Sequence, residues 1–364
     1  MKRFVWTALS ELERRMALRR PGSANDRSVE QAVREILADV RSGGDRAVQL
    51  WTQRLDGFDG NLRAVSEEHF EAALASVDPA VQTAMDVAIA AIAEFHEAQV
   101  PEDIEVETAP GLVCRRVYRP LKCVGLYVPG GRAPLPSTML MLGIPSRIAG
   151  CPQRIVCTPP RQDGTVDPMV LVAARKCGLE TVFPVGGAQA VGAMAYGTES
   201  VPQCDKIFGP GNVYVDTAKR IVAYESDGAA LDLPAGPSEV LVLADDDADP
   251  LFVASDMLAQ AEHDPVAHAV LATTSEDLAA KVAHLLNPLA EALPSADTAR
   301  EALEHAAIIV ADTREQLAEI ANRYAAEHLI LNLRNAADFV DQIDAAGSVF
   351  LGPWTPEVLG DYCS

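Results

Sequence analysis

The chain has 364 residues, of which 49% are hydrophobic and 23% are charged, and this composition excludes an intrinsically disordered chain. The 30 lysines and arginines face 52 aspartates and glutamates, which gives a formal net charge of −22. The negative electrostatic field of this charge repels polyphosphates and excludes non-specific nucleic-acid binding. A local backbone site can still hold a small anionic cofactor.

The seven cysteines are scattered and form no Cys-x-x-Cys pair, which argues against a zinc ribbon and against a disulfide scaffold. The N-terminal segment carries acids and arginines where a signal peptide needs an apolar run. No stretch reaches the roughly 18 uninterrupted apolar residues of a membrane span. We therefore expect a cytoplasmic protein with reduced thiols and no membrane association.

The first hundred residues or so are predicted to be helical. Apolar residues recur at helical spacing over 29–55, where Gly43-Gly44 interrupts the pattern, and again after Asp78-Pro79. Residues 1–25 are predicted to form an N-terminal arm.

From Leu112 the sequence changes to short β-branched segments that alternate with helical ones. The predicted strands are 112–118, 124–128, 155–158, 181–185, 206–208, 239–243, 269–273, 307–310, 329–332 and 348–351. The predicted helices are 136–149, 168–177, 213–224, 250–263, 276–293, 314–325 and 336–345. This alternation indicates an α/β fold with two doubly wound, incomplete Rossmann-like parallel-sheet domains and a helical N-terminal segment.

Three glycine-rich segments each follow a predicted strand and precede a helix: VPGGRAP (128–134), VGGAQAVGA (185–193) and FGPGNVYV (208–215). Any one of them alone is more simply explained as a tight turn that needs positive φ. Three in one block favour a phosphate or nucleotide crevice at the carboxyl ends of the strands. We therefore predict that 127–238 is a nucleotide-binding domain and that 26–126 with 239–364 form the other domain.

Gln260 and His263 are candidate metal ligands, because three-residue spacing places them on one face of the predicted helix 250–263. A carbonyl oxygen and an imidazole can form half of a tetrahedral zinc site. The alternative, a surface glutamine and a helix-terminal histidine, is favoured by spacing alone, since glutamine is a rare zinc ligand. Asp361 is a further candidate ligand in a predicted loop, although it is uninformative by itself.

Glu327 and His328 lie between a predicted helix and an apolar strand, at a corner that we expect to face the ligand edge of the sheet. A carboxylate beside an imidazole offers a water-activating base and a proton acceptor near neutral pH. A solvated glutamate and a helix-capping histidine would explain the pair equally well.

Taken together, the motifs resemble the histidinol dehydrogenase family from the N-terminal helices to Tyr362. The segments that carry the resemblance are VGLYVPGG, GGAQA, DKIFGPGN, AGPSEVLV, QAEH, EHLI and AGSVFLG. The resemblance implies a homodimeric NAD-dependent enzyme of histidine biosynthesis that oxidises L-histidinol to L-histidine through L-histidinal.

The resemblance also implies a role for individual side chains. Zinc, one ion per subunit, would be held partly by Gln260, His263 and Asp361. The implied NAD contacts are Tyr127, Gln189 and Asn212. The implied substrate contacts are Ser238, Gln260, His263, His328 and Asp361. Glu327 and His328 match the catalytic pair of the family.

The family continues beyond this point with a helical C-terminal domain, which supplies a histidine as fourth zinc ligand and an acidic substrate contact. The printed sequence ends three residues after Asp361, and no histidine follows His328. From the sequence we therefore expect weak NAD binding, poor zinc retention and little turnover. The competing hypotheses are a catalytically impaired NAD- and zinc-binding remnant and a zinc hydrolase, against which the glycine turns argue.

Overall fold

A computed structural model describes residues 1–21, 27–60, 62–130, 135–233 and 238–363. The backbone forms two compact units, one of Met1–Ala24 with Gly236–Leu359 and one of Asn25–Ala235 with Gly360–Ser364. The first contains a six-stranded sheet and the second a five-stranded sheet, so we call them the six-stranded and the five-stranded unit. Every neighbouring strand pair in both sheets is parallel, which confirms the predicted fold class.

Strands and helices alternate along most of the chain. The strands are β1 (Lys2–Val5), β2 (Ile104–Ala109), β3 (Leu112–Arg116), β4 (Cys123–Tyr127), β5 (Gln153–Thr158), β6 (Val182–Pro184), β7 (Lys206–Phe208), β8 (Ala230–Leu231), β9 (Glu239–Ala244), β10 (His268–Thr273), β11 (Ala307–Val310), β12 (His328–Asn332) and β13 (Ser348–Leu351). The α-helices are α1 (Glu11–Ala17), α2 (Arg27–Asp56), α3 (Glu67–Ser76), α4 (Pro79–Glu97), α5 (Pro136–Ile148), α6 (Pro168–Lys176), α7 (Gly187–Tyr196), α8 (Val213–Ala223), α9 (Pro250–Ala261), α10 (Glu276–Glu291), α11 (Ala296–His305), α12 (Arg314–Tyr324), α13 (Ala336–Phe339) and α14 (Leu359–Cys363). Short 3-10 helices occupy Trp6–Ala8 and Val340–Gln342.

The six-stranded sheet has the order β1-β11-β10-β9-β12-β13. Its central strand β9 is buried along its whole length, as expected for a strand covered on both faces. Val240 and Val242 point into a core shared with α9, α10 and α11. Leu241 and Leu243 point into the opposite core, which α12 covers. This alternation explains why EVLVLA is apolar at successive positions.

The N-terminal arm is corrected by the structure, because part of it is a strand. β1 pairs with β11 in parallel at the edge of the six-stranded sheet. Trp6 behind it is completely buried, and its Nε1 donates to Glu319 at 3.2 Å. KRFV is too short to show strand periodicity, so only long-range pairing reveals this strand.

The five-stranded sheet has the order β6-β5-β4-β7-β8. Cys123 and Tyr127 of β4 face the core formed with α2, α7 and α8. Val124 and Leu126 face the opposite core, which includes residues of α3, α4, α5 and α6. β2 and β3 form an antiparallel hairpin whose residues are exposed.

The division of the chain differs from the predicted one at residues 26–126, which pack in the five-stranded unit instead of with 239–364. The apolar stripe of α2, including Leu37 and Val40, lies in the same core as α7. A Cβ at Gly192 of α7 would be 3.2 Å from both side chains, so the glycine permits this close approach. Periodicity predicts a helix but not the sheet that it covers, which is why the assignment differed.

His268 is a buried histidine at the start of β10, and its Nδ1 lies 2.8 Å from the hydroxyl of Tyr324. Burial lowers the pKa of His268 from 6.5 to about 4, because desolvation disfavours the imidazolium. Its ring is therefore neutral in the folded protein at neutral pH.

We expect this histidine to make the fold acid-sensitive. Below pH 6.5 the unfolded chain binds a proton that the folded chain does not, so stability falls between pH 6.5 and about 4. The loss is at most about 3 kcal/mol, at about 1.4 kcal/mol per pKa unit. Urea unfolding at pH 7 and at pH 4.5 measures this loss of stability. His268→Gln should flatten this dependence and exposed His284→Gln should not; an unaltered pH dependence in His268→Gln would exclude His268 as its source.

No helix within the described ranges is long and apolar enough to cross a membrane. The seven cysteines are free thiols.

Candidate functional site

One candidate site lies in the six-stranded unit, at the amino edge of its sheet. Ser238 precedes β9, and His328 begins β12 in register with Val240. Gln260 is near the end of α9, which follows β9 and returns the chain to that edge before β10 begins. The expectation that Glu327 and His328 face the carboxyl, ligand-binding edge is therefore wrong, because residues that precede a parallel strand lie at its amino end.

His328 is held by main-chain and side-chain neighbours. Its Nδ1 lies 3.2 Å from the carbonyl oxygen of Glu239 and 3.2 Å from the side-chain amide of Gln260. A carbonyl oxygen only accepts hydrogen bonds, so we assign the ring proton to Nδ1. Nε2 then keeps its lone pair, and with 30% of the side chain exposed this nitrogen is a base that substrate can reach.

Gln260 is 2% exposed and sits among acceptors. When its amide nitrogen faces them, its two N–H groups donate to the carbonyl oxygen of Glu239 at 3.2 Å and to Glu357 Oε2 at 3.1 Å, and the same nitrogen lies 3.2 Å from the protonated Nδ1 of His328 without a hydrogen bond to it. The swap also turns the amide oxygen away from these acceptors and toward donor groups. The Gln260 amide therefore has a fixed orientation.

Glu357 is a residue of this site that sequence reasoning missed. Its side chain is only 10% exposed, and its Oε2 lies 3.6 Å from Nδ1 of His328. At that distance the carboxylate oxygen faces the imidazole ring. Glu357 ends the sequence WTPE at 354–357, and nothing in its spacing along the chain connects it to His328.

Glu327 is joined to Glu239 by reciprocal hydrogen bonds. Its Oε2 accepts from the backbone N–H of Glu239 at 3.3 Å, and its own N–H donates to Glu239 Oε1 at 3.1 Å. The side chain is 53% exposed. Glu327 is therefore a fixed, solvent-accessible carboxylate, suited to take a proton from water.

The predicted zinc ligands are placed differently from expectation. α9 ends at Ala261, so His263 lies beyond the helix, exposed, in a turn closed by its N–H to the carbonyl of Gln260 at 3.3 Å. Asp361 is half-buried in the short helix α14, not in a loop, and belongs to the five-stranded unit. Over the described ranges, no group of three His, Cys, Asp or Glu side chains could hold a metal ion. Two donors of the six-stranded unit, the Gln260 oxygen and the His263 imidazole, fit the chemistry of zinc.

The second candidate site lies in the five-stranded unit, where glycine turns follow β4, β6 and β7 at the carboxyl edge, as predicted. Gly209 has φ +116° and lies against the carbonyl of Tyr127. Its N–H donates to Asp232 Oδ2 and its carbonyl accepts from buried Lys219 Nζ, both at 2.8 Å. Residues 131–134 of the first glycine segment and 235–237 of the AGPSEVLV segment lie outside the described residues.

The predicted NAD-binding residues are positioned around these turns. The Tyr127 hydroxyl accepts from Gly187 N–H at 3.1 Å. Gln189 is completely buried, and its Nε2 donates to Asp56 at 3.2 Å, where burial raises the pKa of the carboxyl. Within the described residues, the Gln189 Oε1 has no hydrogen-bond partner.

An unpaired buried acceptor is costly, so this oxygen favours a ligand that donates to it. Asn212 caps α8 by accepting the N–H groups of Tyr214 and Val215, both at 3.1 Å. This leaves its amide nitrogen available as a donor. A dinucleotide, which carries amide, hydroxyl and phosphate groups, fits this donor and acceptor set.

Gly209→Ala should destabilise the five-stranded unit more than an unstrained glycine change would. A Cβ at this position would overlap the carbonyl oxygen of Tyr127, and main chain cannot rotate away as a side chain can. We expect the free energy of unfolding to fall by about 1–3 kcal/mol because of overpacking. The left-handed backbone should lower it by about 1–2 kcal/mol more. Gly111→Ala is the matched control, since it has φ +79° but no neighbour within 4 Å. Urea unfolding measures the stability of both variants. Equal losses of stability in Gly209→Ala and Gly111→Ala would contradict the close approach of Gly209 to the Tyr127 carbonyl.

Glycine turns at the ends of parallel strands and a carboxylate–imidazole pair define an α/β enzyme. The histidinol dehydrogenase family model matches residues 19–364. The chain therefore belongs to the histidinol dehydrogenase family, whose members are oxidoreductases, and the resemblance seen in its motifs is confirmed.

Relatives and a solved structure agree with this family. The chain is 52% identical over 364 residues to histidinol dehydrogenase of Xanthomonas campestris pv. campestris (strain 8004), covering 100% of this chain and 84% of the relative. It is 48% identical over 359 residues to that of Shigella sonnei (strain Ss046), covering 99% and 82%. The crystal structure of histidinol dehydrogenase from Elizabethkingia anophelis matches with a TM-score of 0.95 and 39% identity, over 100% of this chain and 83% of that one.

Proposed function

We propose that this protein oxidises L-histidinol to L-histidine through L-histidinal in two NAD-dependent steps of histidine biosynthesis in the cytoplasm. The observation that carries the proposal is the pair Glu327 and His328, both held by Glu239, in a member of this family. The pair supplies the two proton acceptors that the two oxidations need.

In the alcohol step, Nε2 of His328 takes the hydroxyl proton of histidinol while the carbinol carbon loses hydride, which gives histidinal. Bound NAD supplies the hydride acceptor for both oxidations. The imidazolium formed on His328 faces the carboxylate of Glu357 at 3.6 Å, and its Nδ1–H continues to donate to the carbonyl oxygen of Glu239. These contacts stabilise the charge that develops as the proton moves.

In the aldehyde step, Glu327 takes a proton from water as the water oxygen adds to the aldehyde carbon. The resulting gem-diolate, RCH(OH)O⁻, then loses a second hydride, which gives the carboxylic acid of histidine directly, so the one proton released in this step is the one on Glu327. Glu327 suits this role because more than half of its side chain is exposed to water while Oε2 is fixed by a backbone N–H.

The remaining predicted residues bind and orient the reactants. Tyr127, Gln189 and Asn212 hold NAD, and Ser238 contacts the substrate. Gln260, His263 and Asp361 hold zinc, one ion in each subunit of a homodimer. When bound, zinc would supply a Lewis acid for the nitrogen atoms of the substrate. The buried Gln260 amide and the unpaired Gln189 oxygen support these assignments.

The test is incubation of the purified protein with histidinol, NAD and zinc, with NADH followed by absorbance and histidine by mass spectrometry. We expect both products to appear together, and neither without NAD. Absence of histidine, with zinc and NAD shown to be bound, would contradict the proposed function.

A further inference from the structure

The turn that delivers the catalytic pair has a backbone conformation that needs external support. Ala325 closes α12 with φ +51° and ψ +61°, in the left-handed region. A residue with a Cβ is uncommon there, and such strain persists only when the surroundings fix it. Glu327 follows two residues later, so whatever fixes this turn also sets the pair.

Arg20 binds the first half of the turn. Its Nη2 donates to the carbonyl oxygen of Tyr324 at 2.8 Å and to that of Ala325 at 3.1 Å. These carbonyls end α12, where a cation is favourable for the helix dipole. Arg20 comes from the N-terminal segment, far from the turn in sequence.

Glu239 binds the second half of the turn. Its Oε1 accepts from the N–H of Glu327 at 3.1 Å and from Arg20 Nη2 at 2.6 Å. Its Oε2 is bonded to Arg20 Nε and accepts from the Tyr324 hydroxyl at 3.2 Å. One carboxylate thus connects Arg20 to the backbone of a catalytic residue.

The surroundings make this arrangement rigid. The Glu239 side chain is 7% exposed, and Arg20 stacks over the Tyr324 ring with its Cζ 4.7 Å from the ring centroid. Neutral His268 lies behind the same hydroxyl. A buried carboxylate left without its cation is strongly unfavourable, so Glu239 and Arg20 depend on each other.

We propose that Arg20 and Glu239 are positioning residues that hold the 324–327 turn, and through it fix Glu327 and His328 for the reaction. The inference rests on the proposed function for its kinetic consequence. The Glu239 side chain sets the turn, while its main chain holds the Glu327 carboxylate and the His328 imidazole. Loss of the interaction between Arg20 and Glu239 should move the Glu327 carboxylate and the His328 imidazole relative to the substrate. A displacement of about 1 Å can lower the rate by about 10²-fold.

The kinetic test is Arg20→Lys, which keeps the positive charge. Lysine lacks the planar guanidinium group that binds the two carbonyls of the turn and the Glu239 carboxylate together. We expect kcat to fall by about 10- to 100-fold, with KM for histidinol unchanged within experimental error. Arg14→Lys is the matched control, because Arg14 also joins the N-terminal segment to α12, through Glu319 at 3.4 Å. Both variants are assayed well below their unfolding temperatures. A kcat for Arg20→Lys equal to that of Arg14→Lys would overturn the proposal.

A second measurement does not depend on turnover. Hydrogen exchange in the peptide 324–328 should be at least about 10-fold faster in Arg20→Lys and Glu239→Gln than in the wild type or Arg14→Lys. Unchanged exchange overturns the proposal whatever the kinetics show. An unmodified protein that binds NAD and zinc but forms no histidine would contradict the proposed function instead, and exchange would still decide whether Arg20 and Glu239 hold the turn.

Discussion

His328→Asn is expected to lower kcat for histidinol oxidation by about 10²- to 10⁴-fold, with KM largely unchanged. An asparagine amide can still donate to the Glu239 carbonyl that now lies 3.2 Å from Nδ1. It has no equivalent of the Nε2 lone pair, so no group takes the alcohol proton. The loss therefore falls on the transition state more than on substrate binding, and steady-state kinetics separate the two.

The matched control is His284→Asn, an exposed histidine of α10 in the same unit. It should retain wild-type kcat. Wild-type turnover in His328→Asn would remove this imidazole from the mechanism.

Glu327→Gln should impair the aldehyde step far more than the alcohol step. The amide oxygen can still accept from Glu239 N–H, which preserves the geometry, but an amide cannot take a proton from water. We expect a loss of about 10²- to 10⁴-fold with histidinal as substrate and less than about 10-fold for conversion of histidinol to histidinal. Single-turnover measurements from each substrate resolve the two steps.

Exposed Glu304→Gln in α11 serves as the control and should leave both steps unchanged. Equal losses in both steps would contradict a role for Glu327 in water activation alone.

Local sequence pattern predicted most of the strands for a physical reason. Strands β7, β11 and β13 have the predicted bounds, because short apolar runs bounded by turn residues are typical of strands. The helix break at the glycine pair is also confirmed: Gly44 has φ +53°, and Glu199 accepts the N–H of the next residue at 2.8 Å.

Features that depend on contacts through space were not predictable in this way. β1 is defined by its pairing with β11, and α2 is placed by packing on α7. The amino-edge location of Glu327 and His328 follows from strand direction, which motif spacing does not report.

The candidate site shows the same limit. Adjacency in the sequence identified Glu327 and His328 as candidate catalytic residues. Helical spacing identified Gln260 as a candidate ligand. The residues that fix them, Glu239 and Glu357, come from separate elements and meet only in the folded unit.

The ratio of NADH to histidine, with histidinol limiting and a carbonyl-trapping reagent present, tests the central claim most directly. If one protein carries out both oxidations on the Glu327 and His328 pair, each histidine formed should accompany two NADH, with little histidinal trapped. One NADH per histidinol, with histidinal accumulating in the trap and no histidine formed, would contradict the account.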